Sequence, residues 1–139
     1  MKKNLRRVIL LFQLLAGLSD ASTGLLLIFA PEWTLRLMGV TQIPTPHVSI
    51  SYTGVFVFSV GFSYLWAFAF WARNPAHLGE WKAQWILTAF IRSIVAIFVL
   101  WNVSSAQLEV SWLSVAFTDA TFALIQWTCL SNGWLAYAE

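Results

Sequence analysis

Three ionisable residues lie inside otherwise apolar stretches of this chain: Asp20 in "GLSDASTGLLLIFAP", Arg92 in "FIRSIVAIF" and Asp119 in "AFTDATFALIQW". Two carboxylates beside a guanidinium can hold a small polar ligand, exchange a proton, or pair with one another. Arginine stays charged in any plausible setting. The set therefore carries a surplus negative charge, and one aspartate is expected to hold a proton. Polar neighbours recur at helical spacing. Gln13, Gly17, Asp20 and Gly24 share one helix face, as do Gln84, Thr88 and Arg92, and Asp119 lies two turns from Gln126. Tyr64 can hydrogen-bond into the same centre.

These residues need elements able to place them at one depth. The chain has 139 residues, 59% of them hydrophobic and only 10% charged, with mean hydropathy +0.71. A soluble domain carries about 25% charged residues, so the composition points to an integral membrane protein of one domain. The expected fold is all-α, a membrane four-helix up-down bundle with spans at about 8–30, 49–72, 82–101 and 110–130. The segment "PEWTLRLMG" after the first span reads as a short interfacial helix. The short tail after 130 has no assigned role.

Orientation follows from the basic residues. Lys2, Lys3, Arg6 and Arg7 precede the first span, and Arg73 and Lys82 flank the loop between the second and third. The opposite side holds Arg36. Both termini are therefore expected in the cytoplasm, and the expected location is a bacterial inner membrane. Trp33, Trp71, Trp81, Trp101, Trp112 and Trp134 fall near span ends and read as an interfacial belt.

At 1.5 Å per residue, Asp20 lies ~20 Å from Arg7, Arg92 ~15 Å from Lys82 and Asp119 ~17 Å from Leu130. All three reach the middle of the hydrocarbon layer. Each isolated charge there costs about 2.5–3.5 kcal/mol, which mutual pairing offsets. Gln13, Gln84, Thr88 and Gln126 all fall on the cytoplasmic side of the charges. Gly24, Ala96, Val99, Trp112 and Val115 occupy the outer side. This asymmetry predicts a polar vestibule open to the cytoplasm and plugged outside. In the second span, Gly54 and Gly61 share a face that favours close helix approach.

Other chemistry is disfavoured by what the chain contains. His47 belongs to an outer loop and His77 to an inner one, so one subunit is not expected to bring both to a metal or haem. A single cysteine, Cys129, leaves no internal disulfide. No nucleophile, phosphate-loop or metalloprotease motif is present, and no basic aromatic patch suggests nucleic acid. The expected partners are the lipid bilayer and either further copies or a larger membrane complex.

Taken together, "GLLLIFAP" closing the first span, "YTGVFVFSVGFSYLWAF" in the second, an arginine in the third and an aspartate in the fourth resemble the DoxX-like group of small membrane proteins. The resemblance implies a compact four-helix bundle, with links in some members to redox or quinone complexes and in others to assembly of partner proteins. Three readings stay open. In the first, the polar centre binds a ligand or relays protons without being an enzyme. In the second, the chain is an accessory subunit and the centre only fixes helix register. In the third, the chain is a membrane oxidoreductase that holds a quinone near the tryptophans.

Overall fold

Proline and glycine divide the helices. The structure, a computed structural model, describes residues 2–72 and 74–138. Arg73, and the side chains of Lys2 and Lys3 that enter the orientation argument, lie outside the described residues. Helix α1 spans Lys2–Phe29. It stops because Ala30 precedes a proline, which disfavours helical backbone; Ala30 has φ −139°. Pro31 then opens α2, Pro31–Leu37, from a first-turn position that needs no N–H. Gly39, at φ +81°, turns the chain out of α2. Helix α3 is Val48–Phe70, α4 is Leu78–Ser104 and α5 is Leu113–Ser131. Tight 3-10 turns at Pro75–His77 and Val110–Trp112 lead into α4 and α5, and a third, Trp134–Ala138, follows α5. No strand occurs among the described residues. Four helices are long and apolar enough to cross a membrane.

Helices α1 and α4 outrun the expected spans, whereas α3 stops at Phe70 rather than 72 and α5 begins at Leu113 rather than 110. Helix α1 begins at Lys2 rather than near Val8, and α4 covers Leu78–Ser104 rather than 82–101. Backbone hydrogen bonding continues past the apolar window into polar turns, which a hydropathy boundary cannot register. The tail is not free either. Its 3-10 turn folds back against α1 and buries Leu135 to 1% exposure.

The bundle is built from two antiparallel hairpins, α1 on α3 and α4 on α5. Backbones in the first approach very closely. A Cβ added at Gly61 would fall 2.2 Å from the Ala21 nitrogen, and one at Gly24 would fall 2.4 Å from that of Phe58. Gly54 in turn sits against Leu27. The small residues read from the second span therefore do form a helix interface, as expected where packing rather than water exclusion drives association.

The hairpins join each other mainly through side chains. At the end holding the termini, Ile9, Ala67, Ala72, Trp81, Trp85, Cys129 and Leu135 form one apolar cluster. At the other end, Leu27, Leu35, Val40 and Ile50 pack with α2, and Trp112 joins from the second hairpin. Glu109 clasps that end. Its carboxylate accepts from Thr41 N–H at 3.0 Å, Thr41 Oγ1 at 2.9 Å and Gln42 N–H at 2.5 Å. The Thr41 and Gln42 backbone N–H groups hold the Glu109 carboxyl below the usual carboxylate range.

Candidate functional site

Between the hairpins lies a buried polar layer centred on Arg92. Its position on α4 faces α1, α3 and α5 at once, so the guanidinium meets all three. One terminal nitrogen donates to Asp119 Oδ1 at 2.5 Å, the other donates to Asp20 Oδ2, and Nε donates to the Tyr64 hydroxyl at 3.3 Å. The Arg92 Cζ lies 4.7 Å from the centre of the Phe122 ring and 5.5 Å from that of Tyr64. A cation over aromatic faces gains further attraction where water is excluded. The depth count along three separate helices thus placed three charges that do meet.

The acids are not enclosed as the arginine is. The Arg92 side chain is 4% exposed, those of Asp20 and Asp119 14% and 16%. Each aspartate commits one oxygen to Arg92. Asp20 Oδ1 and Asp119 Oδ2 accept no hydrogen bond from the described residues.

A layer of amides and hydroxyls lies on the side of the termini. Gln126 Nε2 donates to Thr88 Oγ1 at 2.8 Å and to the Trp85 carbonyl at 3.4 Å, and Thr88 donates to the Gln84 carbonyl at 2.9 Å. Gln13 Nε2 donates to the Tyr64 carbonyl at 2.8 Å and to Gln84 Oε1 at 3.4 Å. Its Oε1 accepts from the indole nitrogens of both Trp81, at 3.3 Å, and Trp85. Gln84 completes the layer on Ser63 Oγ at 3.4 Å. One acceptor is left over: the buried Gln126 Oε1 has no donor. Burying such an atom unpaired costs about 1–3 kcal/mol.

All eight residues read from the sequence, Gln13, Asp20, Tyr64, Gln84, Thr88, Arg92, Asp119 and Gln126, occupy this one interface. The open vestibule does not follow. Gln13 and Gln126 are wholly buried, and Trp81, Trp85 and Leu135 fill the space beneath them. Polar side chains at helical spacing satisfied one another instead of lining a water-filled funnel. Trp81 is correspondingly no belt residue: it is 2% exposed, and its indole N–H is spent on Gln13. Trp33 and Trp101, by contrast, are exposed.

Sequence reasoning missed Phe122, Trp85, Ser63 and the Glu109 clasp. Trp81, Trp85, Thr88 and Arg92 follow helical spacing, so that signal marked both indoles as facing the charges. Phe122 stands one turn from Asp119 in the same way. The clasp had no signal, because it joins two loops through backbone N–H groups. No protein-family model, curated protein or solved structure matches this chain.

Proposed function

We propose that this chain is a small integral membrane protein whose Asp20–Arg92–Asp119 centre binds a small ligand or relays protons. One observation carries the reading: each carboxylate holds Arg92 through one oxygen and leaves the other uncommitted. A network serving only to lock helices gains by satisfying every lone pair, since unmet ones are costly at low dielectric. An uncommitted carboxylate oxygen inside a membrane is instead a place to receive a proton or a donor group. Tyr64 and the Gln13, Gln84, Thr88 and Gln126 layer hold the three charged groups in position, and we assign no catalytic residue. Cytoplasmic termini, a bacterial inner membrane host and kinship with the DoxX-like group belong to the same proposal. Arg6, Arg7 and Lys82, grouped at the end of the bundle that holds the termini, support the orientation.

The test is infrared difference spectroscopy of protein reconstituted in lipid, with pH stepped across the neutral range. The wild type is expected to show a protonated-carboxyl band that changes with pH and is lost or altered in Asp20→Asn and Asp119→Asn. Two carboxylates that never titrate, together with variants that match the wild type in proton uptake, would sink the proposal.

A second reading has its own observation. Tyr52, Phe56, Phe62, Trp66 and Phe70 are all exposed along α3, with successive rings in contact from Phe62 to Phe70. In an accessory subunit this row would pack on a partner in a larger complex. Copurification in mild detergent separates the readings: a stable lone monomer or homo-oligomer counts against the accessory role.

A further inference from the structure

We propose that the ligand of this centre is a protonated primary amine on an apolar tail, entering from the lipid-facing side between α1 and α5. The inference rests on the reading that the centre binds a ligand, and it names that ligand's chemistry.

Charge decides the sign. Once the proton expected on one aspartate is released, Arg92 leaves the set one negative charge in excess, and among the described residues no other charged side chain contacts the three. An anion would add to the excess in a medium where repulsion is strong. An ammonium group would bring the set to two against two.

Hydrogen bonding decides the type. What the outer carboxylate oxygens lack is donors. Asp20 Oδ1 and Asp119 Oδ2 are uncommitted, and these two acids keep the exposure that Arg92 has lost. Independently of the acids, Gln126 Oε1 is wholly buried and has no donor. Its amide is oriented by its bond to the Trp85 carbonyl, which only the Nε2 side can satisfy. Arg92 keeps a further N–H on each terminal nitrogen, so the guest must sit on the carboxylates and away from the guanidinium. A primary ammonium offers three N–H groups to two free carboxylate oxygens. A quaternary ammonium offers none.

Access decides the tail. Toward the termini the route is closed by Gln13, Gln126, Trp81 and Trp85, and toward the other end by Ala96, Val99 and Ala116, all buried. The sides differ. Helix α1 runs tightly along α3, and α4 along α5, whereas α1 and α5 are joined through the Phe12 and Phe122 rings, 5.3 Å between centroids. Asp20 and Asp119 lie beyond that ring pair on the facing edges of the same two helices. On that edge Ser19 and Thr23 of α1 and Thr118 of α5 flank the acids by helical spacing, and further round the two helices the exposed surface is apolar, with Leu15 and Leu18 on α1 and Phe117 and Leu124 on α5. A head that reaches the acids this way brings its tail into lipid.

The experiment uses the full chain in lipid nanodiscs, with empty nanodiscs subtracted for partitioning. Three probes share one tail: octylammonium, octyltrimethylammonium and octyl sulfate. Calorimetric titration of the wild type should show octylammonium binding at least about tenfold more tightly than octyltrimethylammonium, the value of one charge-assisted hydrogen bond. Octyl sulfate should not exceed the empty-nanodisc signal. Asp119→Asn should lower octylammonium affinity by a similar factor, with helix content unchanged by circular dichroism. Equal binding of the two cations, or preference for the sulfate, overturns the amine assignment on wild-type protein alone, whatever the variant does. If no probe binds but the carboxyl band still titrates, the amine is wrong and the proton-relay form of the proposed function stands. If the band is silent as well, both fall.

Discussion

Replacing Arg92 by leucine tests whether the charged centre holds the two hairpins together. The change removes both ion pairs, the bond to Tyr64 and the contact with Phe122, and strands two carboxylates that remain 14% and 16% exposed. Breaking one fully buried pair costs about 3–5 kcal/mol. Two pairs sharing one cation do not add, and a stranded acid that neutralises by taking up a proton reduces the loss. The total should therefore stay near about 3–5 kcal/mol, a factor of roughly 150 to 5,000 in the folding equilibrium. Against a typical stability of about 5–15 kcal/mol, the bundle still forms but with little margin. The assay is unfolding by sodium dodecyl sulfate in mixed micelles, followed by far-ultraviolet circular dichroism. The matching control removes all charge at once, as Asp20→Asn, Arg92→Leu and Asp119→Asn together, and should recover most of the loss because no unpaired ion remains. An Arg92→Leu protein within about 1 kcal/mol of wild type would refute the energetic argument. A triple variant as unstable as the single one would shift the cause from charge to the packing of the arginine over Phe122 and Tyr64.

Two further expectations concern the frame around the site. Gly61→Ala places a methyl 2.2 Å from the Ala21 nitrogen and 2.8 Å from the Asp20 carbonyl carbon, where only backbone can yield. It should cost about 1–3 kcal/mol or more in the same titration, while Gly79→Ala, with no atom within 4 Å, should be close to neutral. Glu109→Gln should loosen the clasp on Thr41 and Gln42, read as faster amide exchange in residues 40–43 and 105–110. Because the Glu109 carboxyl is held below its ordinary value of 4.5, the clasp's contribution is complete above that value and lost as pH falls through the lowered one. Acid should thus lower the protection of these amides relative to their intrinsic exchange rates in the wild type, and leave that of the glutamine variant little changed.

Residues whose environment is set by their own helix were legible in the sequence. Asp20, Arg92 and Asp119 announce a shared level in the bundle by distance from the span ends, and Gly54 and Gly61 announce a close interface by sharing a face. The state of the glutamine layer was not legible. Periodicity puts Trp81 and Trp85 on the Arg92 face of α4, but whether Gln13 meets those indoles or water depends on how closely the second hairpin packs on the first. The burial of Leu135 depends likewise on a turn after Gly133, at φ +65°, that carries no apolar pattern of its own. The starts of α1 and α4 were read short because hydropathy fades before hydrogen bonding does.

The division of the charges between the hairpins also bears on how the molecule is made. Arg92 and Asp119 belong to the same hairpin, so α4 and α5 can neutralise each other as soon as both have been synthesised. Asp20 is older in the chain and must wait, solitary in a nascent helix, until Arg92 arrives. For a helix inserted in lipid, as we propose, that wait costs about 3 kcal/mol, and it ends when the second hairpin docks. A truncated or mispaired chain keeps its exposed acid, so the same aspartate that shapes the finished site also distinguishes a complete molecule from an unfinished one.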